Sequence, residues 1–450
     1  MSLNQKAGRF IWIRHKTDDQ TFANRTALMK FKAHDVFTPR SPEVNADMYI
    51  RRVVQEYALV TNLSTNKHLL IHGESGSGKS WLYKHVFSQE GVPFTAVNMA
   101  VAARFNDVNA ALADKFASIK TEVVRKVTSK GGGKGSIGFL SVSAEEIEEI
   151  ERLRKEPFEQ LLEAVADKDG KPSFLVFENM EAILGNQKLV NQVSDILILL
   201  DDDDYAKYNV RILIVGVPND MQSYFSQTKN AQTISNRIVE IPEVARLEES
   251  DAVELLRKGL VEQLGLQPTG VTLEKIAEYT DYIPQYIHEL GLNLAIAVEL
   301  KAEDKEKITE SDLKFAVGDW ISSSFTSDHT AMLSKMNSKS TKVGRRNQVI
   351  FAMSQFEKGD FSYRDVETEV RRLFPNTTDQ KTLNVSQILS ELAADPHPII
   401  RKSPRGDTYR FVSPKMKICI RGSLLESGEK IERLDLLIAD LKKRRRDAQP

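Results

Sequence analysis

The sequence predicts an α/β fold in which helices cover both faces of a parallel sheet. Short apolar runs rich in β-forming residues alternate with segments of helical periodicity, and these runs lie at residues 69–71, 93–98, 174–177 and 210–215. A parallel connection has to cross the sheet, so strands separated by helices favour this arrangement. A glycine-rich loop between the first run and the next helix supports the same fold.

This loop has the composition of a phosphate-binding loop. It consists of Gly73, Glu74, Ser75, Gly76, Ser77, Gly78, Lys79 and Ser80. The glycines let the backbone turn tightly and direct its N–H groups at phosphates, and Lys79 is placed to reach the β- and γ-phosphates. The Ser80 hydroxyl is placed to bind Mg²⁺. The sequence therefore predicts that ATP and Mg²⁺ are the cofactors.

Composition excludes several other classes of protein. The chain has 450 residues, which predicts two or three domains, and its single cysteine, Cys419, argues against a disulfide framework or a multi-cysteine zinc site. The first residues lack the long apolar core of a secretory signal, and no apolar run approaches the ~20 residues of a membrane helix. We therefore expect a cytoplasmic protein that does not bind membranes.

A polar stretch follows the run at residues 174–177. Glu178 takes the place of the acid that holds Mg²⁺ through water, and we assign it to the metal site together with Ser80. Asn179 stands where hydrolytic ATPases usually carry a glutamate; an amide can position a water but cannot accept its proton. Glu181 either reaches back to this water or is a solvated helix residue. ATP binding with slow hydrolysis is the prediction.

Two further residues are candidates for the catalytic site. Asn219 follows the run at residues 210–215 and contacts either the γ-phosphate or its water, or else is an ordinary turn residue. Arg237 precedes a short apolar run at residues 239–241. It either stabilises the γ-phosphate of a neighbouring subunit or is an ordinary surface arginine.

In this order, the loop, Glu178, Asn219 and Arg237 resemble the motifs of AAA+ P-loop ATPases. Within that family the chain is similar to origin-recognition and initiator-loader ATPases, and to transposition-associated and bacterial signalling ATPases. The resemblance covers about residues 40–320 and implies a homo-oligomer and a helical lid after the nucleotide-binding core. Gln285 stands where the family's lid often has a phosphate-sensing arginine, which also favours slow turnover.

Residues 345–422 have the layout of a winged helix, with a third helix at residues 378–394 and a β-wing at residues 399–412. Such domains place the third helix in the DNA major groove. Basic residues that can neutralise phosphates of double-stranded DNA are Lys381, Arg401, Lys402, Arg405 and Arg410. Many winged helices contact only proteins, however, and the third helix is poor in basic residues.

These predictions divide the chain into five parts. They are a basic arm at residues 1–40, an AAA+ core at 41–245, a lid at 246–335, a winged helix at 345–422, and an amphipathic C-terminal helix with a basic tail at 423–450. The predicted function is an ATPase in which ATP–Mg²⁺ binding controls oligomerisation and the engagement of DNA. The alternative is a nucleotide-controlled switch that contacts proteins and not DNA.

Overall fold

The computed structural model describes most of the chain. The described residues are 31–130, 156–216, 230–269, 271–301, 304, 306–337, 341, 343–356, 359–403, 406–436 and 439, with side chains described for residues 31–120 of the first range. Two predicted site residues, Asn219 and Arg405, lie outside these ranges. So do most of the basic arm and the basic tail at residues 442–446.

A five-stranded parallel sheet forms the centre of the first part. Its spatial order is β2-β3-β4-β1-β5. The strands are β1 His68–His72, β2 Phe94–Asn98, β3 Ser173–Glu178, β4 Val210–Gly216 and β5 Ile238–Glu240. All four neighbouring pairs are parallel. The strands predicted from the apolar runs are therefore confirmed.

Helices cover both faces of this sheet. After α1 Ala33–Val36, which packs into the helical layer described below, they are α2 Val53–Leu63, α3 Lys79–Glu90, α4 Met99–Phe105, α5 Val108–Lys130, α6 Pro157–Val165, α7 Gln187–Leu199, α8 Asp203–Ala206 and α9 Ala231–Ser235. Leu69 and Ile71 of β1 are buried in the core that includes α2 and α3, while Leu70 between them is buried with α4 to α7. This period of two is expected of a sheet buried on both faces. The α/β fold class is confirmed.

A second, helical layer follows. It contains α10 Glu249–Leu256, which continues as a π-helical segment Arg257–Gln263, then α11 Leu273–Tyr279, α12 Pro284–Glu299 and α13 Glu310–Ser324. A short parallel pair, β6 Gln267–Pro268 and β7 Lys307–Ile308, links two of its loops. We call this layer the lid.

The segment before α2 packs into the lid. Phe37 is fully buried there, between Gly259 and Gly291. A Cβ atom on either glycine would come within 2.5 Å of the Phe37 ring, so only glycine admits this ring. Ala33, Val36 and Phe37 thus belong to the lid core, so the end of the predicted basic arm packs against the lid.

The C-terminal part combines helices with short strands. Its helices are α14 Thr326–Lys335, α15 Arg345–Ser354, α16 Tyr363–Leu373, α17 Pro375–Thr378, α18 Val385–Leu392 and α19 Pro414–Ser423. Its strands are β8 Asp360–Phe361, β9 Ile400–Lys402, β10 Tyr409–Phe411, β11 Leu424–Ser427 and β12 Lys430–Arg433. Three of them form an antiparallel sheet in the order β8-β10-β9.

Two helices predicted in this part differ from the structure. The helix predicted at residues 378–394 begins only at Val385, since α17 ends at Thr378 and α18 spans Val385–Leu392. Gln380 and Asn384, between the two helices, have positive φ angles of 51° and 53°, which are incompatible with a continuous right-handed helix. The helix predicted at residues 423–450 is wrong over its first residues, where β11 and β12 pair as a hairpin. Gly428, with φ 60°, supplies the left-handed turn residue of this hairpin.

A buried carboxylate joins the lid to the C-terminal part. The Asp281 side chain is 2% exposed and accepts hydrogen bonds from Arg246 at 2.6 Å, Lys417 at 2.7 Å and Arg421 at 3.0 Å. Lys417 and Arg421 lie on α19. Burial lowers the pKa of Lys417 to about 8, although Asp281 acts in the opposite direction. One carboxylate therefore pairs with three cations.

Replacement of Asp281 tests how much this cluster contributes to stability. Asp281→Asn removes the charge and leaves three cations together in a buried place. We expect a loss of about 3–5 kcal/mol in the free energy of unfolding. Urea denaturation followed by circular dichroism measures it.

The matched control is Asp304→Asn, whose ion pair with Lys307 lies on an exposed surface. It should change stability little, because exposed ion pairs are screened by water. Equal stability losses in the two variants would contradict the role given to Asp281.

Candidate nucleotide-binding site

The loop at residues 73–80 is shaped by its glycines. Gly73, Gly76 and Gly78 have φ angles of 150°, 83° and 97°. A Cβ on Gly73 would come within 2.2 Å of the Val244 carbonyl oxygen. After the loop, α3 begins at Lys79, and no side chain caps its N-terminus. The backbone N–H groups of the first turn are therefore directed at the space above the loop, where an anion is stabilised.

Lys79 curls back over this loop. Its Nζ donates to the carbonyl oxygens of Gly73 at 2.9 Å and Glu74 at 2.8 Å. Burial lowers the pKa of Lys79 to about 8, while the carboxylates of Glu181 and Glu74 act to raise it. The Ser77 hydroxyl is buried and finds no hydrogen-bond partner in the described part of the chain. A buried amine and an unpaired buried hydroxyl in one loop fit a phosphate ligand.

Glu178 lies at the carboxyl end of β3, directly beside the loop. Its Oε1 accepts a hydrogen bond from the Ser80 hydroxyl at 2.9 Å and a second from the Tyr83 hydroxyl at 3.0 Å. The structure thus brings the two predicted metal ligands together, and two oxygen donors next to a phosphate site fit Mg²⁺. The sequence analysis did not identify Tyr83, although Ser80 and Tyr83 are three residues apart and therefore lie on one face of α3.

Asn179 adopts a left-handed conformation with φ 58°. Its Nδ2 donates to Asn98 Oδ1 at 2.9 Å. Asn98 ends β2 and also caps α4 by accepting from the Ala100 N–H. The sequence analysis missed Asn98; the signal was a polar residue at the carboxyl end of the strand that pairs with β3. The Asn179 amide is therefore engaged with a neighbouring strand.

Glu181 lies in a short 3₁₀ turn, Met180–Ala182, that follows Asn179. It is exposed and lines the same cavity as the loop. Its negative charge acts to raise the pKa of Lys79, against the effect of burial. This position is compatible both with contact to a bound water and with simple solvation.

A cavity of about 460 Å³ opens above the loop. The segment at residues 38–52 and the lid complete its walls, with Tyr49 and Arg52 on one side and Gln285 and His288 on the other. This volume lies in the range of small-molecule sites. A ligand here would touch both the core and the lid.

The lid contacts the loop directly through Gln285. Its backbone N–H donates to the Gly76 carbonyl at 3.2 Å, and its side chain donates to Glu289 at 2.9 Å. His288, one turn further on α12, accepts from the Thr38 N–H and meets the edges of Phe37 and Trp81. Burial lowers the pKa of His288 to about 4, so its ring is neutral and serves packing.

Arg237 is held within its own chain. It follows α9, and its guanidinium donates to Asp201 and to the Thr233 carbonyl oxygen. Asp201 is the first residue of an acidic run at residues 201–204.

Of the predicted basic residues of the C-terminal part, the four that lie in the described ranges, Lys381, Arg401, Lys402 and Arg410, are exposed. Arg401 and Arg410 pair directly across β9 and β10, so their side chains share one face. Neither makes an ion pair with another described residue. Lys402 lies next to Arg401 on β9, and Lys381 lies between α17 and α18. Two unpaired arginines opposite each other repel, which an anion would relieve.

The described residues contain neither a membrane-spanning helix nor a cluster of metal-binding side chains. No helix within the described ranges is long and apolar enough to cross a bilayer. Over the same residues, histidine, cysteine, aspartate and glutamate nowhere gather in groups of three or more that could hold a metal ion. The oxygen ligands at Ser80 and Glu178 are thus the described candidates for a cation.

Comparison with known proteins gives one family match. Residues 61–225 match the family model for the AAA domain. No curated protein matches the sequence.

Several solved structures are similar in fold over most of the chain. The Walker-type ATPase PABY2304 of Pyrococcus abyssi is 14% identical, with a TM-score of 0.46 over 85% of this chain and 99% of its own. Cdc6p from Pyrobaculum aerophilum is 12% identical, with a TM-score of 0.41 over 86% and 97%. The ADP form of the ORC2 protein of Aeropyrum pernix is 13% identical, with a TM-score of 0.42 over 92% and 98%.

The family match coincides with the site described above. The matched residues contain the phosphate-binding loop, Glu178 and strands β1 to β4. The part of the chain that matches the AAA domain therefore contains the candidate nucleotide site.

Proposed function

We propose that the cavity binds ATP with Mg²⁺, and that this binding, with slow hydrolysis, controls oligomerisation and the engagement of DNA. The observation that carries the proposal is the joint placement of Lys79, Ser80 and Glu178 around a loop with an unpaired buried hydroxyl. ATP suits a cavity that has one wall in the AAA domain and the other in the lid.

Binding follows from the contacts of the loop. Lys79 now donates to two backbone carbonyls, and its ammonium would exchange these for the β- and γ-phosphates. Ser80 and Glu178 would hold Mg²⁺, which would neutralise part of the phosphate charge.

Slow hydrolysis follows from two amides. Asn179 cannot take a proton from water, and its side chain is already bonded to Asn98. Gln285 offers no positive charge and is bonded to Glu289. Glu181 is the remaining carboxylate on this wall that can polarise a water. We also propose that Arg237, positioned by Asp201, contacts the nucleotide of a neighbouring subunit in a homo-oligomer.

The nucleotide site is connected to the C-terminal part by charged contacts. Arg246 lies 3.4 Å from the Glu74 carboxylate of the loop and 2.6 Å from Asp281, which in turn holds Lys417 and Arg421. A ligand that moves Glu74 would change the partners of Arg246. This supports control of the C-terminal part by nucleotide.

We interpret residues 345–422 as a winged helix that contacts double-stranded DNA through the wing formed by β9 and β10. The unpaired Arg401 and Arg410 favour this role. The alternative, a switch that binds a protein partner, is favoured by α18, since its Glu391 pairs with Arg346 and the helix carries no basic residue.

Lys79→Ala tests the nucleotide site. We expect ATP affinity to fall by about 100-fold, because the charge-assisted bonds to the phosphates are lost. Titration with a fluorescent ATP analogue measures it. Lys171→Ala, which removes an exposed lysine of the same domain, is the control and should bind like the wild type. Equal affinities for all three proteins would exclude this site.

Asn179→Glu tests the cause of slow turnover. The wild type should hydrolyse ATP at least tenfold below the ~1 s⁻¹ lower end of typical enzymes, and the variant should be faster because it gains a proton acceptor. The increase in the hydrolysis rate is limited, because a glutamate in the left-handed conformation of residue 179 destabilises the backbone there by about 1 kcal/mol. Steady-state phosphate release measures both rates.

Glu181→Gln separates the two interpretations of Glu181. It should lower the remaining turnover if this carboxylate polarises water, and it should have no effect if Glu181 is merely solvated. A wild-type rate of tens per second would contradict the role assigned to Asn179.

The double variant Arg401→Ala/Arg410→Ala tests DNA contact. Each neutralised phosphate contributes about −0.9 to the slope of log K against log salt, so the slope should flatten by about 2 units. Fluorescence anisotropy with duplex DNA over a salt series measures it. Arg257→Ala/Arg372→Ala, which removes two arginines already paired with glutamates, should leave the slope unchanged. Equal slopes for all three proteins would favour the protein-binding switch.

A further inference from the structure

Tyr83 contacts the carboxylate of Glu178, which we propose as part of the Mg²⁺ site, through its hydroxyl group. Its side chain is fully buried on α3, and its hydroxyl donates to Glu178 Oε1 at 3.0 Å. Ser80 donates to the same oxygen at 2.9 Å. Two donors on one face of a helix thus hold a single carboxylate oxygen.

The tyrosine ring is fixed by other aromatic rings. Its centroid lies 5.7 Å from that of Phe87 and 5.5 Å from that of Phe94, both in edge-to-face geometry. Such packing leaves the ring little freedom, so the hydroxyl has a defined position. A tyrosine hydroxyl is protonated at neutral pH, so it donates to Glu178.

Glutamate needs this support more than aspartate does. Its side chain has one more rotatable bond, so holding its carboxylate in one place costs more conformational entropy. Because both hydrogen bonds end on Oε1, this oxygen is fixed. No hydrogen bond to Oε2 occurs within the described part of the chain. Because the carboxylate is planar and rigid, fixing Oε1 also limits where Oε2 can lie. Oε2 thus remains available to accept a hydrogen bond from a metal-bound water.

We propose that Tyr83 is a positioning residue for the Mg²⁺ site. Its hydroxyl holds the Glu178 carboxylate in place before the metal binds, so that a glutamate at the end of β3 can take part in the metal site. The inference rests on the proposed nucleotide site and concerns its metal affinity. Tyr83 itself touches neither metal nor nucleotide in this scheme; it acts through Glu178.

Tyr83→Phe is the test, because it removes the hydroxyl and keeps the ring. In the presence of a non-hydrolysable ATP analogue, the affinity for Mg²⁺ should fall by about tenfold, the effect of losing one hydrogen bond to a charged group. The affinity for the same analogue without Mg²⁺ should not change. Isothermal titration calorimetry of the full chain measures both.

A double-mutant cycle with Glu178→Asp makes the test sharper. The shorter aspartate side chain draws its carboxylate away from the Tyr83 hydroxyl, so Tyr83→Phe should have no further effect on Mg²⁺ affinity in that background. Additive effects of the two substitutions would overturn the proposal.

Tyr208→Phe is the matched control, since it removes a hydroxyl that donates to Glu159 at 3.0 Å, away from the nucleotide cavity. It should leave Mg²⁺ affinity unchanged. If Tyr83→Phe weakens analogue binding equally with and without Mg²⁺, its role is structural and the proposal is overturned.

The wild type separates this inference from the proposed function. Wild-type protein that does not bind the analogue would overturn both. Wild-type binding strengthened by Mg²⁺, and equally strengthened in Tyr83→Phe, would overturn the role of Tyr83 alone.

Discussion

The phosphate-binding loop is confined on two sides by backbone and lid, and this confinement determines where the site lies. The place of a Gly73 side chain is taken by the Val244 carbonyl, and that of a Gly76 side chain by Gln285 and Ile283 of the lid. The loop can approach both because it carries no side chains at these positions. As a result the cavity lies at the junction of core and lid, and a nucleotide bound there is in contact with both.

The next junction, between the lid and the C-terminal part, is held by charged side chains, so its stability depends on ionic partners. Apolar contacts such as those of Phe37 fix the N-terminal segment against the lid regardless of ligand. The Asp281 carboxylate, by contrast, is paired with Arg246 and with Lys417 and Arg421 of the C-terminal part. Arg246 also faces Glu74 of the loop. Buried ion pairs contribute little net stability, but they depend strongly on every partner being present. A cluster of this kind suits a connection that has to respond to the nucleotide site.

Sequence patterns predicted the parts governed by local rules. The buried strands appear as apolar runs, and the loop is recognisable because glycine, lysine and serine occur at fixed spacing. The parts set by long-range contacts were not predictable. The link from Asn98 to Asn179 spans 81 residues and that from Lys417 to Asp281 spans 136. At the C-terminus, apolar residues at helical spacing indicated a helix, yet Gly428 and the pairing of Glu426 with Ile431 give a hairpin. Its turn residue Glu429 accepts hydrogen bonds from Asn376 and Thr377 of α17, which no local pattern reveals.

If the cavity binds ATP as proposed, its side chains suit holding the nucleotide better than cleaving it. The groups proposed to bind phosphate and metal are gathered at the loop: Lys79 donates to the loop carbonyls, and Glu178 accepts from Ser80 and Tyr83. Asn179 stands at the proposed water-activating position and is hydrogen-bonded to Asn98, while Gln285 stands at the proposed phosphate-sensing position and is hydrogen-bonded to Glu289. With this arrangement, a bound nucleotide would not be lost rapidly to hydrolysis. A nucleotide that persists can shift an equilibrium between two arrangements of lid and C-terminal part, provided it contacts them differently. The contacts of Gln285 with Gly76 and of Arg246 with Glu74 are where that difference would arise.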